Sequence, residues 1–170
     1  MKKLILIMVY ILGLSIVSIA QDLNKKYLDP KLEREVLVDY CDRNGLENDA
    51  EFSELFSIMY EAHEISKEAI DKLKSKTKDI EIVLVLGTWC HDSQMQVPAF
   101  YKVLDAVGFD EKKVKVIAVN RSKKTIDVNI DDLDIKYVPT FIFYKDGKEL
   151  GRIIESPEDT LEADFLRIIG

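Results

Sequence analysis

Apolar residues recur with two different periods along this chain. Between about residues 29 and 78 they repeat every three to four positions, the period of helices that bury one face. From Ile80 onward, short runs of branched apolar residues alternate with helix-like stretches, a pattern typical of strands covered on both faces. The sequence therefore predicts a helical N-terminal part followed by an α/β part.

The first helix of the N-terminal part is expected to begin at Asp29-Pro30. Aspartate is a good helix cap, and proline suits the first helical position. The apolar residues that follow fall on one helical face, which extends the predicted helix to about Cys41. Asn44-Gly45 is predicted to end it.

Two further helices are predicted before residue 79. Asn48 or Asp49 can cap the first of them, and Ser66 can cap the second. The apolar stripes are formed by Phe52, Leu55, Phe56, Met59 and Tyr60 in the first helix and by Ile70 and Leu73 in the second. Residues 21–79 are therefore predicted to be a helical N-terminal extension whose stripes are ordinary core contacts.

Residues 80–170 are predicted to form an α/β domain with a mixed central sheet flanked by helices. The predicted strands are Ile80–Leu86, Val114–Val119, Thr140–Tyr144 and Lys148–Ile154. A helix over about 90–107 joins the first two strands and makes them parallel. Asp146-Gly147 predicts a tight hairpin between the last two, and a final helix is expected over Pro157–Ile169.

The candidate chemistry lies at the first strand–helix junction, Thr88-Trp89-Cys90-His91-Asp92-Ser93. A cysteine at a helix N-terminus lies beside unpaired N–H groups and the positive end of the helix dipole, which favour the thiolate. Thiolate is the nucleophile of disulfide chemistry, so Cys90 is the predicted nucleophile. Trp89 is expected to shield one side of the sulfur, and Ser93 can reach it through its hydroxyl and N–H groups. A protonated His91 would favour the thiolate, whereas Asp92 would oppose it.

The order of elements and three motifs resemble the thioredoxin fold. Pro98, eight residues after Cys90, matches the proline of that family's active-site helix, and the Asp-Gly hairpin has the family's spacing. Val138-Pro139-Thr140 matches the segment whose proline is cis in the family. The resemblance covers about residues 80–170 and implies a thioredoxin-like domain in which Pro139 is cis and faces the thiol. It also implies that substrates bind by strand addition beside Val138, Pro139 and Thr140, next to Trp89 and His91.

Two positions depart from the thioredoxin pattern. The second cysteine of the family's Cys-x-x-Cys motif is replaced by Ser93, and the buried aspartate six residues before the first cysteine is replaced by Leu84. In the family that carboxylate helps to deprotonate the second cysteine. Their joint absence is coherent with a monothiol protein that does not complete a dithiol cycle alone.

A single nucleophilic thiol forms a mixed disulfide that has no exit within the motif, and several outcomes are compatible with this. The protein could shuffle a client's disulfides and be released by the client's own thiol, or it could depend on an external thiol reductant. It could also be a non-catalytic binding or thiol-capture module. Cys41 could resolve the intermediate, although it resembles a small buried apolar residue.

The expected partners are protein or small-molecule thiols and disulfides, and no cofactor is predicted. Metal binding through Cys90, His91 and Asp92 is an alternative, but consecutive residues rarely converge on one ion. The formal net charge is −7 and there is no basic block, which argues against nucleic acid as a partner.

The first twenty residues have the anatomy of a secretory signal peptide. Lys2 and Lys3 precede an uncharged apolar run that ends at Ser18-Ile19-Ala20. An uncleaved anchor is the alternative, but the run is short for a membrane span. The sequence therefore predicts an exported protein of the periplasm or extracellular space, without stable membrane insertion after cleavage. The N-terminal helices together with the Gly-Thr-Trp-Cys-x-Asp-Ser motif resemble the exported thioredoxin-like proteins of Bacteroidetes-type bacteria.

Overall fold

The computed structural model describes residues 22–170, so the predicted signal peptide, residues 1–20, lies outside the described residues. The strands are β1 (Lys26–Asp29), β2 (Arg34–Leu37), β3 (Asp39–Cys41), β4 (Ile80–Leu86), β5 (Val114–Ala118), β6 (Thr140–Lys145) and β7 (Lys148–Ile154). The α-helices are α1 (Arg43–Glu47), α2 (Phe52–Ala62), α3 (Lys67–Lys74), α4 (His91–Val107) and α5 (Leu161–Ile169). Short 3-10 helices lie at Glu111–Lys113 and Asp131–Leu133.

Five strands form the central sheet in the order β3-β5-β4-β6-β7, and β1 and β2 form a separate hairpin. β4 lies in the middle and runs parallel to β5, with Leu84 opposite Val116. β6 is antiparallel to β4, and β7 returns from it through Asp146-Gly147. The mixed sheet flanked by helices and the tight hairpin are both confirmed.

The two faces of β4 and β5 pack into two apolar clusters. The larger one contains Leu84 and Leu86 of β4 together with apolar residues of all five helices. Within it, the ring centroids of Phe100 and Phe141 are 4.6 Å apart. The smaller one contains Val85 and residues from the segment that follows β5, which holds only a short 3-10 helix. Cysteine side chains in the two clusters therefore lie on opposite faces of the sheet.

The helix predicted from Asp29-Pro30 to Cys41 is wrong, because this stretch contains β1, β2 and β3. The Asp29 carboxylate does accept hydrogen bonds from Lys31 and Leu32 N–H, at 2.8 and 3.3 Å, as a helix cap would. The turn ends at Glu33, whose φ of +54° takes the chain out of the helical path. Pairing with β1 and β5 then satisfies the backbone that a helix would have paired internally.

The predicted N-terminal extension is therefore only partly helical. β3 joins the central sheet, where Asp39 is opposite Ala118 of β5. Asn44-Gly45, predicted to end the first helix, lies inside α1, which Asp42 caps. α2 and α3 are confirmed, and Ser66 caps α3 as predicted.

The last helix begins later than the sequence predicts. Thr160, rather than Ser156, caps α5 and accepts a hydrogen bond from Ala163 N–H at 3.1 Å. The helix expected from Pro157 starts four residues later because Thr160 provides a good cap at that point. The backbone N–H of Glu158 is instead satisfied by Asp164, at 2.8 Å.

Two buried carboxylates of the N-terminal strands hold the loop that follows β5. Asp39 Oδ1 accepts hydrogen bonds from the N–H groups of Ile126, Asp127 and Val128, at 2.8, 3.0 and 3.2 Å. Asp29 Oδ2 accepts one from the N–H group of Arg121, at 2.6 Å. β1 and β3 therefore fix this loop, residues 120–128, against the end of the sheet.

The pKa of Asp29 reflects these bonds. Burial raises the pKa of this carboxyl, but hydrogen bonds from Arg121, Lys31 and Leu32 outweigh burial, so the net pKa is lowered. A lowered pKa in the folded state means that the ionised carboxylate stabilises the fold. This contribution is fully present above the unfolded-state pKa, about 3.9, and is lost as the pH falls through the lower folded-state pKa.

Asp29→Asn is expected to lower the free energy of unfolding at pH 7 by about 1–3 kcal/mol, because a buried N–H group loses its acceptor. The difference from the wild type should shrink below about pH 3.9, because the unfolded wild-type chain then binds a proton at Asp29 that the folded carboxylate resists. Urea unfolding at pH 7 and pH 3 measures both effects. Asp132→Asn, at an exposed position, serves as the control. An equal difference at both pH values would contradict this account.

Candidate functional site

Cys90 lies at the junction between β4 and α4. It is the N-cap of α4, with extended backbone angles of φ −94° and ψ 123°. Its N–H group donates to the Gly87 carbonyl at 2.9 Å, and its carbonyl accepts from Gln94 N–H at 3.0 Å. The sulfur is thus carried on the residue that opens the helix, next to N–H groups that have no partner inside the helix.

The Cys90 sulfur contacts the segment before β6. Sγ lies 3.2 Å from the carbonyl oxygen of Val138, and the Val138–Pro139 peptide bond is cis. Cys90 itself is half-buried, whereas Val138 is buried. The structure therefore brings Cys90 together with Val138 and Pro139, three residues that the sequence assigns to one site.

An open pocket of about 290 Å³ borders the sulfur. It is lined by Trp89, Cys90, His91, Arg121, Lys123, Tyr137, Val138 and Glu155. Tyr137, one of the lining residues, is 52 % exposed. A reactant can therefore approach Cys90 from solvent.

Trp89 forms one wall of this pocket. Its indole Nε1 donates to the Val119 carbonyl at 2.8 Å, which fixes the ring against the end of β5. A Cβ at position 87 would lie 2.6 Å from the ring, so only glycine leaves space for Trp89 here. Gly87 and Val119 thus fix Trp89 as a wall of the pocket, and its shielding of the sulfur stays a prediction.

Ser93 is completely buried, and its hydroxyl oxygen accepts a hydrogen bond from Gly87 N–H at 3.3 Å. The sequence leads us to expect a contact with the Cys90 sulfur, but the bond that the structure gives Ser93 joins it to the end of β4. Ser93 therefore secures the strand–helix turn.

Val138, Pro139 and Thr140, the segment expected to bind substrate, are all buried. Thr140 lies in β6, opposite Val85 of β4 and Ile154 of β7. Its hydroxyl donates to the Tyr137 carbonyl at 2.7 Å. The Pro139 carbonyl is also occupied, because it accepts from Glu155 N–H at 2.7 Å. Val138 and its neighbour Tyr137 are the parts of this segment that reach the pocket.

Comparison with known proteins identifies the family. A family model described as thioredoxin matches residues 42–164. The chain belongs to the thioredoxin family. The match begins before β4 and ends within α5, so it includes α1 to α3 as well as most of the α/β domain.

Two curated thioredoxins are distant relatives. Chicken thioredoxin is 26% identical over 105 residues, which cover 58% of this chain and 88% of that protein. Mouse thioredoxin is 28% identical over 101 residues, covering 59% and 90%. A crystal structure of a protein of unknown function from Pseudomonas aeruginosa is similar in fold, with a TM-score of 0.52 and 14% identity, and the similarity covers 72% of this chain and 75% of that one. The family match and the two thioredoxins support a thiol–disulfide redox role in general terms, whereas the Pseudomonas structure shows the fold alone.

Cys41, the second thiol of this thioredoxin-family chain, lies elsewhere. It is at the end of β3, not at the end of a helix, and it is only 5 % exposed. It packs in the larger apolar cluster, whereas Cys90 packs against the smaller one on the other face of the sheet. Burial is the main reason that the pKa of Cys41 is raised well above its usual range. The structure does not bring Cys41 to the site.

The sequence reasoning missed four pocket residues: Arg121, Lys123, Tyr137 and Glu155. The guanidinium of Arg121 lies 4.6 Å from the Trp89 ring centre, and Lys123 Nζ lies 6.0 Å from that of Tyr137. The chain order does contain a signal that Arg121 and Lys123 lie near Cys90. They follow β5 as Cys90 follows β4, and the carboxyl ends of these two parallel strands meet at one edge of the sheet.

Among residues 22–170, no three histidine, cysteine or acidic side chains are grouped so that they could hold a metal ion. In the same range, no helix is long and apolar enough to cross a membrane.

The different surroundings of the two thiols give a direct prediction. Iodoacetamide is expected to label Cys90 in the native protein and to label Cys41 only after unfolding, because reagents cannot reach a buried thiol. At pH 7 the rate at Cys90 should exceed that of a free cysteine by about five- to tenfold if the helix N-terminus stabilises the thiolate. Mass spectrometry of timed samples measures both. A rate at Cys90 no faster than that of free cysteine would contradict the predicted stabilisation.

Proposed function

We propose that this protein exchanges thiols and disulfides through Cys90 alone, by way of a mixed disulfide. The observation that carries the proposal is the position of the Cys90 sulfur. It lies at the start of α4, 3.2 Å from the Val138 carbonyl, and it borders an open pocket. A nucleophile needs access to its reactant, which the pocket gives, and the start of a helix is a position at which cysteine thiols act as nucleophiles.

The reaction begins with attack of the Cys90 thiolate on one sulfur of a substrate disulfide. A new Cys90–sulfur bond forms as the substrate's disulfide bond breaks, and the departing thiolate takes a proton from solvent. One substrate sulfur is then bonded to Cys90, and the other has become a free thiol. No outside oxidant or reductant has been used.

Release requires a thiol that the site does not contain. Ser93 has no sulfur to attack the mixed disulfide, and Cys41 is buried on the other face of the sheet. The second thiol therefore comes from the client protein itself or from an external thiol reductant. The first case makes the protein a disulfide-shuffling isomerase, and the second makes it a reductase.

We further propose that the exchange takes place outside the cytoplasm, in the periplasm or the extracellular space. The support is the sequence of residues 1–20, with its basic start, apolar run and small residues at the expected cleavage site. An oxidising compartment supplies disulfide-bonded substrates, which suits a single nucleophilic thiol.

One observation favours a second candidate function, a thiol-capture module that holds its partner without turnover. A thiol at 3.2 Å from the Val138 carbonyl can donate a hydrogen bond to it, and this bond is available to the protonated sulfur only. If that bond dominates over the helix N-terminus, attack by Cys90 is slow, and an adduct, once formed, persists because the site contains no second thiol.

Cys90→Ser is expected to abolish covalent adducts with client disulfides, whereas Cys41→Ser should leave them at the wild-type level. The adducts are measured on non-reducing gels after acid quenching of cell-envelope extracts, and mass spectrometry identifies the linked cysteine. Cys41→Ser is the matched control, since it removes a thiol of the same chain outside the site. Accumulation of adducts in Cys41→Ser would mean that Cys41 resolves them and would overturn the single-thiol mechanism.

Ser93→Cys is expected to convert the site into a dithiol. Position 93 lies three residues along the helix from Cys90, so the new sulfur is on the same helix face. Because an internal thiol acts at a high effective concentration, the mixed disulfide should resolve faster and dithiothreitol-dependent insulin reduction should rise by at least about tenfold. Ser57→Cys, on the exposed surface of α2, adds a thiol elsewhere and serves as the control. Unchanged insulin reduction together with unchanged adduct lifetime would show that Cys90 is not a competent exchange thiol.

A further inference from the structure

Two cations beside Cys90 have no carboxylate partner. The other four arginines of the chain each pair with a carboxylate. Arg121 and Lys123 make no salt bridge within 4.0 Å in the described part of the chain, and both line the pocket. Their charges are thus available to a ligand.

The loop that carries these cations is held in place. Asp29 accepts the backbone N–H of Arg121 itself, and Asp39 accepts three N–H groups further along the same loop. The two side chains lie against aromatic rings of the pocket, Arg121 over Trp89 and Lys123 near Tyr137. Positioned charges at a pocket rim attract an ion of opposite sign more effectively than mobile ones.

The acidic groups nearby reduce this attraction without cancelling it. Glu155 lines the pocket and contributes one negative charge against the two positive ones. Asp92 is exposed in the first turn of α4 and does not line the pocket. His91 lines it and adds positive charge when protonated. The charge around the sulfur is therefore positive by one unit with neutral histidine, in a protein whose net charge is −7.

From this arrangement we infer that the preferred substrate of Cys90 is a disulfide with a carboxylate close to the sulfur under attack. This inference rests on the proposed function and names its substrate class. The carboxylate is placed at Arg121 and Lys123 while the disulfide lies between Trp89 and Val138. It belongs either to a small organic disulfide or to an acidic residue beside a protein cysteine.

The step itself is a single exchange. Cys90 forms a bond to the sulfur nearer the carboxylate, the substrate's disulfide bond breaks, and the other half leaves as a thiolate that takes a proton from solvent. The two pocket cations attract the anion as it approaches and hold it once bound. They are neither oxidised nor reduced.

Three disulfides of similar size but different charge test the inference: dithiodipropionate (anionic), bis(2-hydroxyethyl) disulfide (neutral) and cystamine (cationic). Trp89 is the only tryptophan of the chain and lies next to Cys90, so its fluorescence can follow the reaction, with Cys90→Ser as the blank. Each rate constant is divided by that of 2-mercaptoethanol with the same disulfide, which removes intrinsic reactivity. We expect the corrected rate for the anion to exceed that for the neutral compound by about three- to tenfold at low salt and to approach it in 1 M NaCl.

Variants assign the effect to the pocket. Arg121→Gln and Lys123→Gln should each lower the anionic-to-neutral rate ratio by about two- to threefold, and Glu155→Gln should raise it. Lys115→Gln is the matched control, because it removes one positive charge from an exposed site at the opposite end of β5 and should leave the ratio unchanged. A ratio is used because it cancels a general loss of thiol reactivity in any variant.

A second arm separates the two sources of the carboxylate. It uses disulfide-linked peptides that have glutamate, glutamine or lysine next to the cysteine. If the anionic compound is preferred among the small disulfides but not among the peptides, the carboxylate belongs to a small organic disulfide. If the glutamate peptide is preferred, the carboxylate belongs to an acidic protein segment. Equal corrected rates in both arms, or a preference for cations, would overturn the inference while leaving the proposed function intact. If Cys90 reacts with none of these compounds, the proposed function itself fails.

Discussion

The arrangement of the site depends on buried carboxylates that bind backbone N–H groups. Asp29 and Asp39 are almost inaccessible to solvent, and together they accept four N–H groups from the loop after β5. A buried carboxylate is costly unless such donors satisfy it, and the loop would otherwise leave those donors unpaired. Asp29 and Oδ1 of Asp39 thus pair with the N–H groups of the loop, which is fixed where it borders Cys90.

The centre of the fold could be predicted from local signals in the sequence. β4 is apolar from Ile82 to Leu86, α4 has a helical period around Pro98, and Asp146-Gly147 allows a hairpin. Each of these patterns is complete within a few residues. The position of Cys90 between the first two follows directly from them, which is why the predicted nucleophile lies where the sequence places it.

The N-terminal strands could not be predicted in the same way. Asp29-Pro30 carries a true capping signal, but the residues after it pair with partners elsewhere: Val36 with Tyr27, and Asp39 with Ala118 far along the chain. Local patterns contain no information about such partners. The same limit applies to Arg121 and Lys123, whose role depends on a loop position set by Asp29 and Asp39, and to Ser93, whose hydrogen bond is to Gly87.

The bond between Asp29 and the Arg121 backbone links the first hairpin to the reacting sulfur through only two further contacts, Arg121 over Trp89 and Trp89 beside Cys90. Substitutions in the hairpin can therefore change the surroundings of Cys90 without touching the pocket. In a scan of variants that measures the reactivity of Cys90, this region would be grouped with the pocket, although by position it belongs to the periphery. A truncated version that starts at β4 would lack the groups that organise its own binding face.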